Sequence, residues 1–228
     1  MRLPVTARTT LLRDLRDEAR GHHGKGRVII AVDGRDGAGK TIFADGLAEV
    51  IAEGGTHVFR ASVDGFHRSR AERYARGRDS AEGYYRDSYD HATLRRVLID
   101  PFRDGSRAAA SIGFQLAAWD VVRDAPVEAR WVTGPEDAVL VLDGIFTLRP
   151  ELRQLWDWSV WLDVPADVAF ERMALRDGTD ADPDAAGNRR YREGHDLYLR
   201  EAGPREWASA IVDNADPEHP RRVPREVR

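Results

Sequence analysis

The 228-residue chain contains no cysteine, which excludes a disulfide framework, Cys-ligated zinc, iron–sulfur clusters and thiol catalysis. Lysine is almost missing: Lys25 and Lys40 are the only two among 35 basic residues. That bias fits a GC-rich coding sequence, and it makes the position of each lysine informative. There is no basic excess either, because the formal net charge is −4, and this argues against a dedicated nucleic-acid surface. Long apolar runs are lacking. The longest, Val28–Val32 and Ala138–Leu142, hold five residues each, whereas a membrane span takes about 20. The first twenty residues mix Arg with Asp and Glu and have no continuous apolar core of the kind a signal peptide needs. The expectation is a cytoplasmic protein that binds neither nucleic acid nor membrane; association into homo-oligomers is left open.

What is present reads as alternating strands and helices, the pattern of βαβ units on a parallel sheet. Residues 1–25 predict an amphipathic helix (Leu11, Leu12, Leu15) and a polar linker, in which His22 and His23 read as solvated rather than metal-binding. Strands are expected at Arg27–Val32, Val58–Val63, Ala138–Leu142, Ser159–Val164 and Ala210–Val212, giving five in parallel. Helices are expected after Lys40, over Thr93–Phe102 with Pro101 ending or bending it, at Pro150–Trp156, from Pro165 to Leu175, and around Tyr191–Leu199. Residues 26–217 form the main domain, with a substrate and hairpin region at 65–135 and a lid at 170–192. The segment from Arg107 to Val132 reads as irregular or hairpin structure, and the Arg/Pro-rich tail, 218–228, as loose.

Gly34-Arg35-Asp36-Gly37-Ala38-Gly39-Lys40-Thr41 satisfies G-x-x-x-x-G-K-[ST] between a buried strand and an amphipathic helix. From this chain's own composition, about one shuffled chain per thousand would match. The glycines let backbone N–H groups wrap a phosphate chain, and the helix N-terminus adds its positive dipole end. Gly34, Asp36, Gly37, Ala38, Gly39, Lys40 and Thr41 are therefore the expected ATP-binding set. Lys40 would reach the outer phosphates and Thr41 would ligate Mg²⁺.

In open α/β sheets ligands lie beyond the carboxyl ends of the strands. Asp143, after Val139-Leu140-Val141-Leu142, stands where an acid holds Mg²⁺ directly or through water. Asp64 ends the second strand and is placed to accept the proton of an attacking hydroxyl. The competing role for either is a helix cap. Arg172 and Arg176 lie four apart on one helix face and can clamp a transferring phosphoryl group, or simply face solvent.

These motifs together resemble the uridine kinase family, within the wider group that holds phosphoribulokinase and bacterial pantothenate kinase. The resemblance runs from about Val28 to Pro217. It rests on the P-loop, Val63-Asp64-Gly65-Phe66-His67, Tyr89-Asp90-His91-Ala92, Leu142-Asp143-Gly144-Ile145, and Arg172 with Leu175-Arg176-Asp177. It implies a P-loop fold and an ATP- and Mg²⁺-dependent kinase whose general base is Asp64, whose ribose-holding acid is Asp90 and whose lid arginines are Arg172 and Arg176. Asp87 is the alternative ribose acid if the register is off by three. His67 stands where the family has tyrosine, as a substrate contact or a surface histidine. Tyr84 and Tyr85 read as a stacking platform for a substrate ring or as packing, and Tyr85 is assigned to the substrate set. The departures matter for the substrate more than for the chemistry. Gly65 replaces serine, Asp143 replaces glutamate, Ala169 replaces an arginine, and Trp119-Asp120 of the hairpin lacks the following histidine that reads the pyrimidine. The expected activity is γ-phosphoryl transfer to the 5′-hydroxyl of a pyrimidine nucleoside. The alternatives are a kinase for pantothenate or another nucleoside, and a non-catalytic nucleotide switch.

Overall fold

Why the strands form is visible in β1 (Arg27–Gly34), whose side chains alternate between two buried clusters: Val28, Ile30 and Val32 enter one, Ile29 and Ala31 the other. A strand apolar on both faces belongs at the centre of a sheet covered on both sides. In the computed structural model, which describes residues 2–105 and 112–224, that is where β1 lies.

The chain runs α1 (Ala7–His23), β1, α2 (Lys40–Glu53), β2 (His57–Ser62), α3 (Arg70–Arg73), α4 (Ala81–Asp87), α5 (His91–Leu94) and α6 (Asp100–Asp104). A hairpin of β3 (Trp119–Asp120) and β4 (Ala125–Pro126) precedes β5 (Ala138–Asp143), β6 (Trp158–Asp163) and α7 (Ala166–Asp177). Then come α8 (Arg189–Ala202), α9 (Pro204–Trp207), β7 (Ala210–Asp213) and β8 (Arg221–Val223). The main sheet has the order β2-β5-β1-β6-β7-β8, and its first five strands are parallel as expected. Helices α1 and α2 contribute to the cluster on one face, and α4 to α6 with α8 to that on the other. Among the described residues no helix is long and apolar enough to cross a membrane.

Three expectations need correction. The tail is not loose throughout: Arg221–Val223 forms a sixth strand, antiparallel to β7, and Arg222 pairs with Glu18 of α1 at 2.7 Å. Without it β7 would present an unpaired edge. The single helix expected over Thr93–Phe102 is α5, a π-helical turn at Arg95–Ile99, and α6. Pro101 has no N–H to give the carbonyl four residues back, and that carbonyl, Val97 O, accepts instead from Gln115 N–H at 2.8 Å. The helix expected at Pro150–Trp156 is reduced to a single 3-10 turn, Arg153–Leu155. Within Arg107–Val132 the hairpin is found, while the expectations for residues 107–111 and 225–228 fall outside the described residues.

Candidate active site

The P-loop closes β1 onto α2. Gly39 caps α2 in a left-handed conformation (φ +82°) and Lys40 is the first helical residue, so the unsatisfied N–H groups of the first turn face the loop. Gly37 is required twice over. Its φ is +75°, and a Cβ there would lie 2.1 Å from the Ala169 carbonyl oxygen. The backbone of α7 at Ala169 thus packs against the phosphate loop. Asn214, just after β7, donates to Ala38 O at 2.8 Å, and Lys40 Nζ donates to Arg35 O at 2.8 Å.

Two carboxylates brace this loop, and the sequence reading passed over the partners of both. Asp33, fully buried, accepts from Gly34 N–H (2.7 Å), Leu148 N–H (2.8 Å) and Tyr198 O–H (2.5 Å). Burial pushes its carboxyl above the ordinary range against these donors. Asp36 accepts from Tyr84 O–H at 2.6 Å. An aspartate inside an apolar strand was the available signal for Asp33. Tyr84 was singled out for its ring, and nothing local marks its hydroxyl as a donor to the loop.

Asp143, 2% exposed, lies beside the loop because β5 pairs with β1 in the register Val32↔Asp143. Its Oδ2 accepts from Thr41 O–H at 2.8 Å and its Oδ1 from Arg60 at 2.9 Å. A hydroxyl and a carboxylate side by side are hard oxygen donors of the kind Mg²⁺ takes when phosphate oxygens and water complete its shell. The two residues therefore fit the ion. Among the described residues no group of three or more His, Asp or Glu is placed to hold a metal ion without such help. Arg60 was missed, since an arginine within β2 carries no motif.

The neighbouring strand delivers Asp64. Ser62 at the end of β2 pairs with Asp143, and a 3-10 turn, Val63–Phe66, then turns Asp64 out to solvent. Its Oδ1 accepts from Tyr89 O–H at 3.0 Å. Burial and the Asp64 charge hold the Tyr89 phenol well above its ordinary value, so it remains a donor. His67 Nδ1 lies 2.8 Å from the Asp64 carbonyl oxygen; since a carbonyl only accepts, the proton is on Nδ1 and Nε2 is the free acceptor. Burial lowers the His67 pKa, which keeps the ring neutral at pH 7. A cavity of about 290 Å³ is lined by Thr41, Arg60, Ser62, Gly65, Ala117 and Asp143. Gly65 admits the hairpin: Ala118 N–H donates to Gly65 O at 2.8 Å, and a Cβ on Gly65 would stand 2.9 Å from that of Ala117.

None of the expected substrate residues, Asp64, His67, Tyr85 and Asp90, is among those that line this cavity, which reaches their side of the site through Gly65. Tyr85 is 2% exposed and packs on Phe146 and Tyr198 in the core, so its assignment as a substrate contact is wrong; α4 turns Tyr84, not Tyr85, toward the loop. Asp90 caps α5, accepting from Thr93 N–H at 2.9 Å through Oδ1, with the Thr93 hydroxyl and Ala92 N–H as further donors to its carboxylate. Asp87, the alternative ribose acid, is paired with Arg76 at 2.8 Å. Arg172 is tied to the carbonyls of Asn214 (3.2 Å) and Ala215 (2.7 Å), and Arg176 to Asp177 (2.7 Å). Both line a cavity of about 350 Å³ that also touches Gly37, Gly39, Ile42, Phe43 and Pro217. They stand as walls of a largely apolar recess beside the P-loop.

No family model matches the chain. A uridine kinase from Deinococcus deserti is 29% identical over 150 residues, spanning 65% of this chain and 68% of the relative. A structure described as a possible uridine kinase from Bacillus stearothermophilus is superimposed with a TM-score of 0.64 at 24% identity, covering 88% of this chain and 98% of the other. One from Silicibacter sp. TM1040, provisionally assigned as a fructose transport system kinase, gives 0.62 at 24% identity, covering 90% and 96%. The fold is thus that of the P-loop kinases, and the likeness to uridine kinases carried by the motifs extends to a curated relative.

Proposed function

We propose that this chain, similar to uridine kinases and built on the P-loop kinase fold, transfers the γ-phosphoryl group of ATP to a hydroxyl of a small molecule. The observation that carries the proposal is one cavity shared by Thr41, Asp143 and Gly65, which joins the Mg²⁺-fitting pair at the foot of the phosphate loop to the residue next to Asp64. A non-catalytic nucleotide switch would have no use for a carboxylate oriented by a tyrosine at that place.

The roles follow from the contacts. The P-loop amides and Lys40 hold the phosphates, Lys40 leaving its contact with Arg35 O to do so. Thr41 and Asp143 would hold Mg²⁺, which when bound offsets negative charge on the transferring phosphoryl. Asp64 takes the proton of the attacking hydroxyl, and Tyr89 fixes which carboxylate oxygen stays free. His67 Nε2 and the Asp90 carboxylate are the acceptor's polar contacts. Arg172 and Arg176 flank the donor nucleotide, and closure over the site excludes water that would hydrolyse ATP. The acceptor we favour is the 5′-hydroxyl of a pyrimidine nucleoside, on the Deinococcus relative's name and on Asp90. The missing hairpin histidine makes other nucleosides and pantothenate the comparison set.

The test is ADP release by the purified chain, coupled to a spectroscopic readout, with uridine, cytidine, purine nucleosides and pantothenate offered in turn. Stimulation by one acceptor above the basal ATPase rate supports transfer and names the acceptor class. ATP turnover that no hydroxyl compound stimulates refutes it.

A further inference from the structure

The recess beside Gly37 and Gly39 has one wall supplied from outside the α/β core, by Arg8 of α1. Several features hold that side chain in place. Thr6 and Thr9 form a reciprocal cap at the start of α1, which puts Arg8 in the first turn. Leu12 and Leu15 are buried against α2, and Arg13 pairs with Glu53 at 3.1 Å. Gly46 lets the helices approach, since a Cβ there would stand 3.0 Å from Leu12 Cδ1 and 3.1 Å from Arg8 Nη2. The guanidinium then donates to Ile42 O at 2.6 Å. Among the described residues no carboxylate pairs with it, so its charge is uncommitted.

The recess has the volume of a small-ligand site, its surface is largely apolar, and it is continuous with the loop that wraps phosphates. Its other cations, Arg172 and Arg176, are occupied by carbonyls and by Asp177. A planar, weakly hydrated guanidinium at the edge of an apolar recess suits the face of an aromatic ring.

We propose that Arg8 stacks on the nucleobase of the phosphate donor, so that α1 completes the nucleotide site. Arg8 has this role only if the P-loop holds the donor's phosphates, as the proposed function requires. Stacking is tolerant of ring identity, so adenine and guanine should gain alike, and a ligand with phosphates but no base should gain nothing.

The experiment is calorimetric titration of the full chain, in Mg²⁺, with ATP, GTP and inorganic triphosphate. Wild type should bind all three. Arg8→Ala should weaken ATP and GTP about tenfold each and leave triphosphate within twofold. Arg8→Lys, which keeps the charge and loses the plane, should fall between. Parallel losses for ATP and triphosphate would mean Arg8 acts by charge or by holding α1, and would overturn the proposal. Unchanged ATP affinity in Arg8→Ala would overturn it as well. A wild-type chain that binds none of the three refutes the P-loop assignment itself, a different failure from either.

Discussion

The two halves of the site are built on different principles. The phosphate side is contiguous: eight residues from Gly34 to Thr41 make the loop, and backbone geometry does the work. The acceptor side is assembled from scattered pieces, with Asp64 from the end of β2, Tyr89 from 25 residues on, and a hairpin that meets Gly65 through Ala117 and Ala118. A contiguous device has to satisfy its own local stereochemistry, and residues chosen for that are hard to replace. An assembled device can exchange parts one at a time, and Gly65 and the hairpin without its histidine are two such exchanges against the uridine kinase pattern that the sequence resembles.

The comparison breaks first at Asp64. Asp64→Asn removes the proton acceptor and keeps the shape, so transfer should fall by about 10³-fold or more, while ATP affinity stays within twofold. Single-turnover rates and nucleotide titration read the two separately. Near-normal transfer would put the base elsewhere.

Next come the two glycines, one on each side. Gly37→Ala places a methyl 2.1 Å from a backbone carbonyl at φ +75°. Neither that carbonyl nor the loop can give way cheaply, and ATP affinity should drop by about 100-fold, or roughly 2.7 kcal/mol. Gly65→Ala meets the Ala117 methyl at 2.9 Å and the Ala117 Cα at 3.3 Å, both on the segment leading into the hairpin. The hairpin can shift, so the expected effect is a few-fold rise in acceptor KM with ATP affinity unchanged. If Gly65→Ala weakened ATP as much as Gly37→Ala, the two halves would not be separable.

The same division decided what could be read in the sequence. The P-loop, Asp143 and Asp64 were legible because each follows an apolar strand, and strand ends are where an open parallel sheet gathers its ligands. Arg60 was not, because its partner Asp143 is 83 positions away and only the β2–β5 register brings them together. Pro101 announced a break but not that Gln115 would fill it. The edge strand Arg221–Val223 was hidden under exposed arginines, since an edge strand needs backbone pairing more than apolar side chains.

A third test compares a buried histidine with a half-buried one. His195, on α8 behind the P-loop, is 4% exposed, and neither ring nitrogen has a hydrogen-bond partner. Burial pushes it down to about 3, helped by Arg35 and Lys40 on the loop side. Asp36 and Asp196 also line the small cavity beside it, with Tyr191, Arg192 and Phe170, and Trp161 stacks on the ring. On the acceptor side burial and Arg149 push His91 down to about 4. Both folded-state values lie below the 6.5 of an open histidine, so the unfolded chain binds more protons as the pH falls. Their contribution is complete above about pH 6.5 and is lost toward pH 4 for His91 and toward pH 3 for His195. Between pH 7 and pH 5, His195 alone should cost roughly 2 kcal/mol of stability. His195→Gln should remove about that much of the acid-side loss in urea unfolding, whatever it does to stability at pH 7. An identical slope in the variant would mean that the ring takes a proton without penalty.

The finest test separates adjacent tyrosines. Successive residues on a helix point about 100° apart, so of Tyr84 and Tyr85 on α4 one side chain reaches the loop and the other turns into the core. Tyr84 O–H donates to Asp36, and its loss leaves a carboxylate of the P-loop without that donor. Tyr84→Phe should cost about 1 kcal/mol, read as a few-fold weaker ATP affinity with acceptor KM unchanged. Tyr85 keeps its ring contacts with Phe146 and Tyr198 when the hydroxyl is removed. Tyr85→Phe should therefore leave both constants where they are. A raised acceptor KM in Tyr85→Phe would restore that residue to the substrate site and would require α4 to rotate when the acceptor binds.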